Sequence, residues 1–224
     1  AAHRDLHLSL RRQRQMCIRD RVYRPYHLKH HRFTETEDDP DRALSAPFPI
    51  TKVSFFRKVL RDLTGITGFR RYSQALISIL KTDGDNLPDR LKGIWFKIHG
   101  FLITNILIFL AISFFFHWSL YFLLWWLPAF TYYSLIIRIR NIAEHCVTSG
   151  STDLDNTRTT LTNPIVRFLM APHRVNYHLE HHLFMMCPWY NLPKAHKMMI
   201  KNGFKDKMCI SNSYRSVLNK AVSA

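Results

Sequence analysis

Cysteine is scarce in this chain of 224 residues: the four stand at positions 17, 146, 187 and 209, and no two form a C-x-x-C pair. That excludes a disulfide-dense secreted scaffold and leaves no zinc-ribbon or thioredoxin-type signature. Acidic residues are also few, with 16 Asp and Glu against 32 Lys and Arg, for a formal net charge of +16. Disorder is excluded by what is plentiful, since 47% of the residues are hydrophobic and 13% aromatic. The length suits one domain of ordinary size or two small ones. The mean hydropathy of −0.15 resembles that of a soluble protein. It averages, however, over one segment in which charge is missing altogether.

From Ile98 to Ile137 there is no Asp, Glu, Lys or Arg. One bilayer crossing needs about 20 apolar residues, so this block is long enough for two. Polar and interfacial residues, His117-Trp118-Ser119, interrupt it near its middle. The block reads as an antiparallel hairpin of transmembrane helices, Phe101–Phe116 and Leu120–Ile137, with Pro128 placed to kink the second. Both ends of a hairpin leave the bilayer on one side. Lys97, Arg138 and Arg140 flank those ends, and positive charge marks the cytoplasmic side. The rest of the chain is then expected in the cytoplasm.

In Thr51–Lys81, Phe55, Phe56, Val59, Leu60 and Leu63 alternate at helical spacing with Lys52, Arg57, Lys58 and Arg61. That pattern predicts an amphipathic helix, either in the membrane interface or packed on the cytosolic part. Thr82–Asp89 and Ser149–Pro164 read as polar loops, Asn191–Asn202 as a helix, and the remaining tail as basic and without features.

One short motif recurs. H-x-x-H-H occurs as His27, His30, His31 in PYHLKHHRF and as His178, His181, His182 in NYHLEHHLF. From composition alone, two such matches are roughly a one-in-a-thousand event. Offsets of 0, 3 and 4 place three imidazoles on one helical face. Imidazole suits iron, copper and zinc. Two facing helices supply six nitrogens, more than one ion usually takes from protein, so two metals are the economical reading. Asn141 and His145, in RNIAEH directly after the second span, share a helical face and point to the same site. His99, His117 and His196 have no matching partners and read as structural, and His173 is left out of the ligand set.

These residues resemble those of the integral-membrane fatty acid desaturase family. YHLKHHRFTETEDDPD resembles its second histidine box, NYHLEHHLF its third, and RNIAEH the stretch after its last span. The likeness runs from about Val22 to the C-terminus. The resemblance implies an all-α membrane helical bundle, here with one transmembrane hairpin (residues 98–137), and a cytosolic helical cap carrying the boxes. It implies two iron ions held by His27, His30, His31, His145, His178, His181 and His182, with Asn141 reaching the metal through water. It further implies molecular oxygen as co-substrate, a fatty acyl lipid as substrate, and ferredoxin or a b-type cytochrome as electron donor. The product it implies is a cis double bond. Carboxylates should fix the imidazole tautomers; Asp38, Asp39, Glu144 and Glu180 are the candidates, with Glu35 and Glu37 nearby in sequence.

The family's first box, H-x(3,4)-H, normally lies some thirty residues before the second, among further spans. Upstream of the second box, His3 and His7 match that pattern, but only twenty residues before His27 and in a stretch with no apolar span. Residues 10–21, LRRQRQMCIRDR, are strongly basic, and Met16-Cys17-Ile18-Arg19-Asp20-Arg21 within them resembles a translated transposon-end adapter from a sequencing library. Residues 1–21 are therefore expected to be an artefactual leader, and 22–224 a desaturase fragment lacking the first half of its bundle. Two other readings compete. A di-iron lipid hydroxylase acting on an alkane, carotenoid or sphingolipid shares the hydrogen abstraction. A basic nucleic-acid-binding protein fits a pI of about 10.1, but not the uncharged block or the scattered Cys. The charge suits anionic headgroups and an acidic electron-transfer partner better, so no nucleic-acid partner is expected. A non-catalytic membrane anchor leaves the repeated histidine motif unexplained.

Overall fold

A computed structural model describes residues 23–34, 36–42, 47–148 and 152–223, and it is mostly helical. The expected leader, with His3 and His7, lies outside the described residues. The chain divides into two compact units, one of Phe56–Ile137 and the other of Ala1–Phe55 with Arg138–Ala224.

The first described helix is α1 (Tyr23–Phe33), which carries the first H-x-x-H-H motif. The amphipathic stretch that follows is two helices, α2 (Lys52–Leu63) and α3 (Ile66–Leu80). They are separated at Gly65, whose φ of 82° is left-handed and ends any continuous helix. α4 (Leu87–Phe115) starts where Asn86 accepts a hydrogen bond from the Asp89 amide at 3.0 Å, with Pro88 in its first turn. α5 (Ser119–His145) is the second long helix. Both are long and apolar enough to cross a membrane. No residue of α4 is buried, which separates it from the core helix of a soluble domain. The break between them at Phe116–Trp118 lies where the polar interruption sits in the sequence. α5 runs on past Ile137 to His145, eight residues beyond the expected end of the span.

Asn105, a polar residue inside the apolar run, is paired across the two long helices. Asn105 accepts from the Tyr121 hydroxyl at 2.8 Å and the Trp125 indole at 3.1 Å, and donates to the Phe101 carbonyl at 2.8 Å. These bonds tie α4 to the start of α5. α5 widens to a π-turn at Phe122–Trp126, just before Pro128. Proline has no amide to close the regular ladder there, so the irregularity has a local cause.

α3 meets α5 closely at Gly68. A Cβ there would lie 2.2 Å from the Phe130 carbonyl oxygen, and backbone cannot yield as a flexible side chain can. Gly68→Ala ordinarily gains helix propensity of about 1 kcal/mol. Here it is expected to lower the melting temperature instead, by the equivalent of about 1–3 kcal/mol of overpacking. Thermal unfolding in detergent checks the sign, and a neutral or stabilised variant contradicts this packing.

The other unit continues from the end of α5 with strand β1 (Thr159–Thr160), α6 (Pro164–Met170), α7 (His178–Leu183), α8 (Leu192–Lys201), strand β2 (Ile210–Ser211) and α9 (Tyr214–Ala221). β1 and β2 pair in parallel, Thr159 with Ile210 and Thr160 with Ser211. Two expectations are corrected here. The Ser149–Pro164 segment is not all loop, because Thr157–Thr160 are buried and Thr159 and Thr160 pair with the tail. The tail is not featureless, because Val217 and Ala221 of α9 pack with Ile142 and Cys146 at the end of α5, and Tyr214 packs with Ala143 and Ala171. A third cluster joins Leu179 of α7 to Met199 of α8 and to Met208. The two short strands also qualify the all-α expectation.

Candidate metal centre

On α1, the 0, 3, 4 spacing turns His27, His30 and His31 to one face, and on α7 it does the same for His178, His181 and His182. The last residue of α5 is His145. The structure brings these seven imidazoles together and sorts them into two groups. His30, His145, His178 and His182 form one, and His27, His31 and His181 the other. In each group the ligating atoms lie within 4.8 Å of one another. Neither motif serves one group alone, since each contributes to both.

In the group of three, every Nε2 faces the other two: His27 to His31 at 3.0 Å, His31 to His181 at 3.1 Å, and His27 to His181 at 3.3 Å. In the group of four, His178 Nε2 lies 2.9 Å from His145 Nε2 and 3.0 Å from His182 Nε2. A neutral imidazole nitrogen either donates or accepts, never both. Around a triangle, one edge must therefore join two donors or two acceptors. Protein hydrogen bonding cannot satisfy it, whereas a cation accepts all three lone pairs. Two nitrogens bound at about 2.1 Å and at right angles stand roughly 3.0 Å apart, which is the spacing seen here. The donor set thus fits metal, and imidazole nitrogen is suited to iron.

Protonation favours the same reading. Burial, reinforced by His30, holds His27 down to about 4. Burial followed by the His181 ring holds His31 down to about 2, and burial followed by His27 holds His181 at about 3. His178 and His182 are held well below the usual range, mainly by burial. These rings are neutral near pH 7 and have lone pairs to give. His30 differs. Burial pushes it down, but the hydrogen bond and charge of Asp39, helped by Asp41, outweigh this and raise it.

The surroundings orient the rings. Asp39, buried, meets His30 Nδ1 at 2.8 Å and accepts the Asp41 amide at 2.8 Å, and Asp41 Oδ2 stands 3.6 Å from the same ring nitrogen. With Nδ1 engaged, Nε2 of His30 is left for metal. Thr34 donates to the His30 carbonyl at 2.8 Å and so accepts from His182 Nδ1 at 3.2 Å. Glu144 bonds Arg140 and has its other oxygen 3.9 Å from His178 Nδ1. Asn141 is buried, and its Oδ1 has no hydrogen-bond partner among the described residues. Arg158, itself buried, donates to the carbonyls of Ala143 at 3.2 Å, Cys146 at 2.8 Å and Val147 at 2.9 Å. It closes the end of α5 beside His145, where Val147 takes a left-handed φ of 53° that is costly for a β-branched residue.

Two expected carboxylates sit elsewhere. Asp38 is exposed; only one of the adjacent pair can turn to His30, and Asp39 does. Glu180 is fully buried but bonds His196 and Thr159. On a helix, position 180 points opposite to 178, 181 and 182, so its carboxyl cannot reach the imidazoles of its own motif. Glu37 is exposed, and Glu35 lies outside the described residues. His196, read as structural, is thereby drawn in behind α7. His99 bonds its own helix at Trp95, His117 bonds Ser119, and His173 packs edge-on against Trp189. Sequence reasoning missed Thr34, Asp41, Arg158 and Thr159. Asp41 had a visible signal, lying two residues from Asp39 in the same acidic run.

No curated protein and no solved structure shows a significant match to the chain. Residues 16–207 match the model of one protein family, and by that match the chain belongs to the fatty acid desaturase family.

Proposed function

We propose that the chain forms the metal-binding part of a membrane fatty acyl desaturase, acting on an acyl-lipid, acyl-CoA or acyl-ACP substrate. One observation carries the reading: seven buried or half-buried imidazoles gathered as four and three. His30, His145, His178 and His182 would hold one iron and His27, His31 and His181 the other, with Asn141 beside them through water. When bound, the two ions supply oxygen activation and the oxidation of an unactivated methylene pair to a cis double bond, with two electrons from ferredoxin or a b-type cytochrome. The chain's own residues present neutral ring nitrogens, hold tautomers through Asp39 and Thr34, and fix the end of α5 through Arg158. No side chain is needed as general base, because the metals carry the hard chemistry. The charge-free hairpin anchors the protein, and the Lys and Arg at its ends set the histidine motifs on the cytoplasmic face.

The test is metal content per chain in detergent, joined to product analysis with acyl lipids, dioxygen and a reducing system. Two irons per chain are expected, and any product formed is expected to carry a cis double bond. A folded helical chain that takes up no metal overturns the reading, and a hydroxylated product moves it to a lipid hydroxylase.

A further inference from the structure

α7 carries three of the seven imidazoles, yet nothing local explains why it holds its shape. It has only six residues and no side-chain cap at its start, and an isolated helix of that length is not stable in water. Its register must come from tertiary ties. One is Leu179, fully buried against Met199 and Met208. The other is polar. Glu180 is fully buried, and each of its carboxyl oxygens has its own donor. His196 Nδ1 meets Oε1 at 2.6 Å from α8, and Thr159 Oγ1 donates to Oε2 from β1. Both donors are themselves anchored. The Thr159 amide bonds the Cys209 carbonyl at 3.0 Å, and the His196 ring packs against Tyr177, which precedes α7. A buried carboxyl held at both oxygens cannot move without leaving polar groups unpaired.

We propose that His196 is a positioning residue of the metal centre, acting with Thr159 to clamp Glu180 and so fix the rotation of α7 that aims His178, His181 and His182. This rests on the metal-centre reading above. It makes a prediction that ordinary packing does not. α7 gives His178 and His182 to the group of four and His181 to the group of three, so loosening the clamp must weaken both sites together. Loosening Asp39 acts through His30 and must weaken the group of four alone.

The experiment titrates cobalt(II), followed by its visible absorption, into the full chain in detergent for wild type, His196→Ala, His196→Asn, Thr159→Val and Asp39→Asn. The melting temperature of each metal-free protein is measured alongside. Loss of a partner that orients a ligand typically costs about 10- to 100-fold in metal affinity. His196→Ala and Thr159→Val are expected to lose that much at both sites, with the metal-free protein still folded but melting below wild type, since one oxygen of a buried carboxyl loses its donor. His196→Asn keeps a donor near the Nδ1 position and is expected to restore both sites. Asp39→Asn is expected to weaken one. Wild-type affinity in Thr159→Val or His196→Ala overturns the clamp, as does failure of His196→Asn to rescue. Unfolding of metal-free His196→Ala also overturns it, by making His196 a folding residue. If wild type binds no cobalt, the metal-centre reading itself has failed, a result distinct from all of these.

Discussion

His181→Ala is expected to leave the chain with one tightly held metal ion in place of two, while His178→Ala, only three positions away, weakens the other ion without removing it. His181 belongs with His27 and His31, so its loss leaves two imidazoles, too few to retain an ion against buffer. His178 belongs with His30, His145 and His182, so its loss leaves three, the number on which many metal sites operate. Metal analysis after dialysis and cobalt titration measure the difference directly. Oxidation of the acyl chain is expected to vanish in His181→Ala, since the proposed chemistry needs both ions. Equal loss of all metal in both variants points to a single shared site and refutes the division into four and three.

Leu107→Lys separates a membrane hairpin from an exposed apolar pair in a soluble protein. Leu107 lies in the uncharged part of α4 and is 61% exposed. In water, exchanging such a leucine for lysine is neutral or improves solubility. In a bilayer, a leucine near the helix centre favours insertion by about 0.5 kcal/mol, and a lysine opposes it by about 3. The change corresponds to a shift of a few hundredfold in the insertion equilibrium. Extraction of membranes at high pH is therefore expected to release much of the variant and little of the wild type. Release of both to the same extent counts against α4 as a span.

The separate tests reflect two kinds of information. The two long apolar helices are legible from a single local property, forty residues without charge, because length and composition along the chain suffice to mark a helix able to cross a bilayer. The one-face arrangement within each histidine motif is legible for the same reason, since 3.6 residues per turn fixes which side chains are neighbours. The opposite direction of Glu180 follows from that geometry too, although its residue type invited a role beside the rings. The widening of α5 ahead of Pro128 and the break at Gly65 likewise come from local backbone chemistry.

What only the tertiary structure decided is which imidazoles stand together. His27 and His181 are 154 residues apart in the chain and 3.3 Å apart at Nε2, and each motif is split between the two groups. Periodicity describes the face of one helix and carries nothing about the angle at which another crosses it. The same holds for Arg158 at the end of α5, for Thr159 and His196 around Glu180, and for α9, whose Val217 and Ala221 fill a core the tail's composition did not announce. In each case a polar or apolar group is buried by partners far along the chain, and the need to satisfy it appears only once the chain has folded.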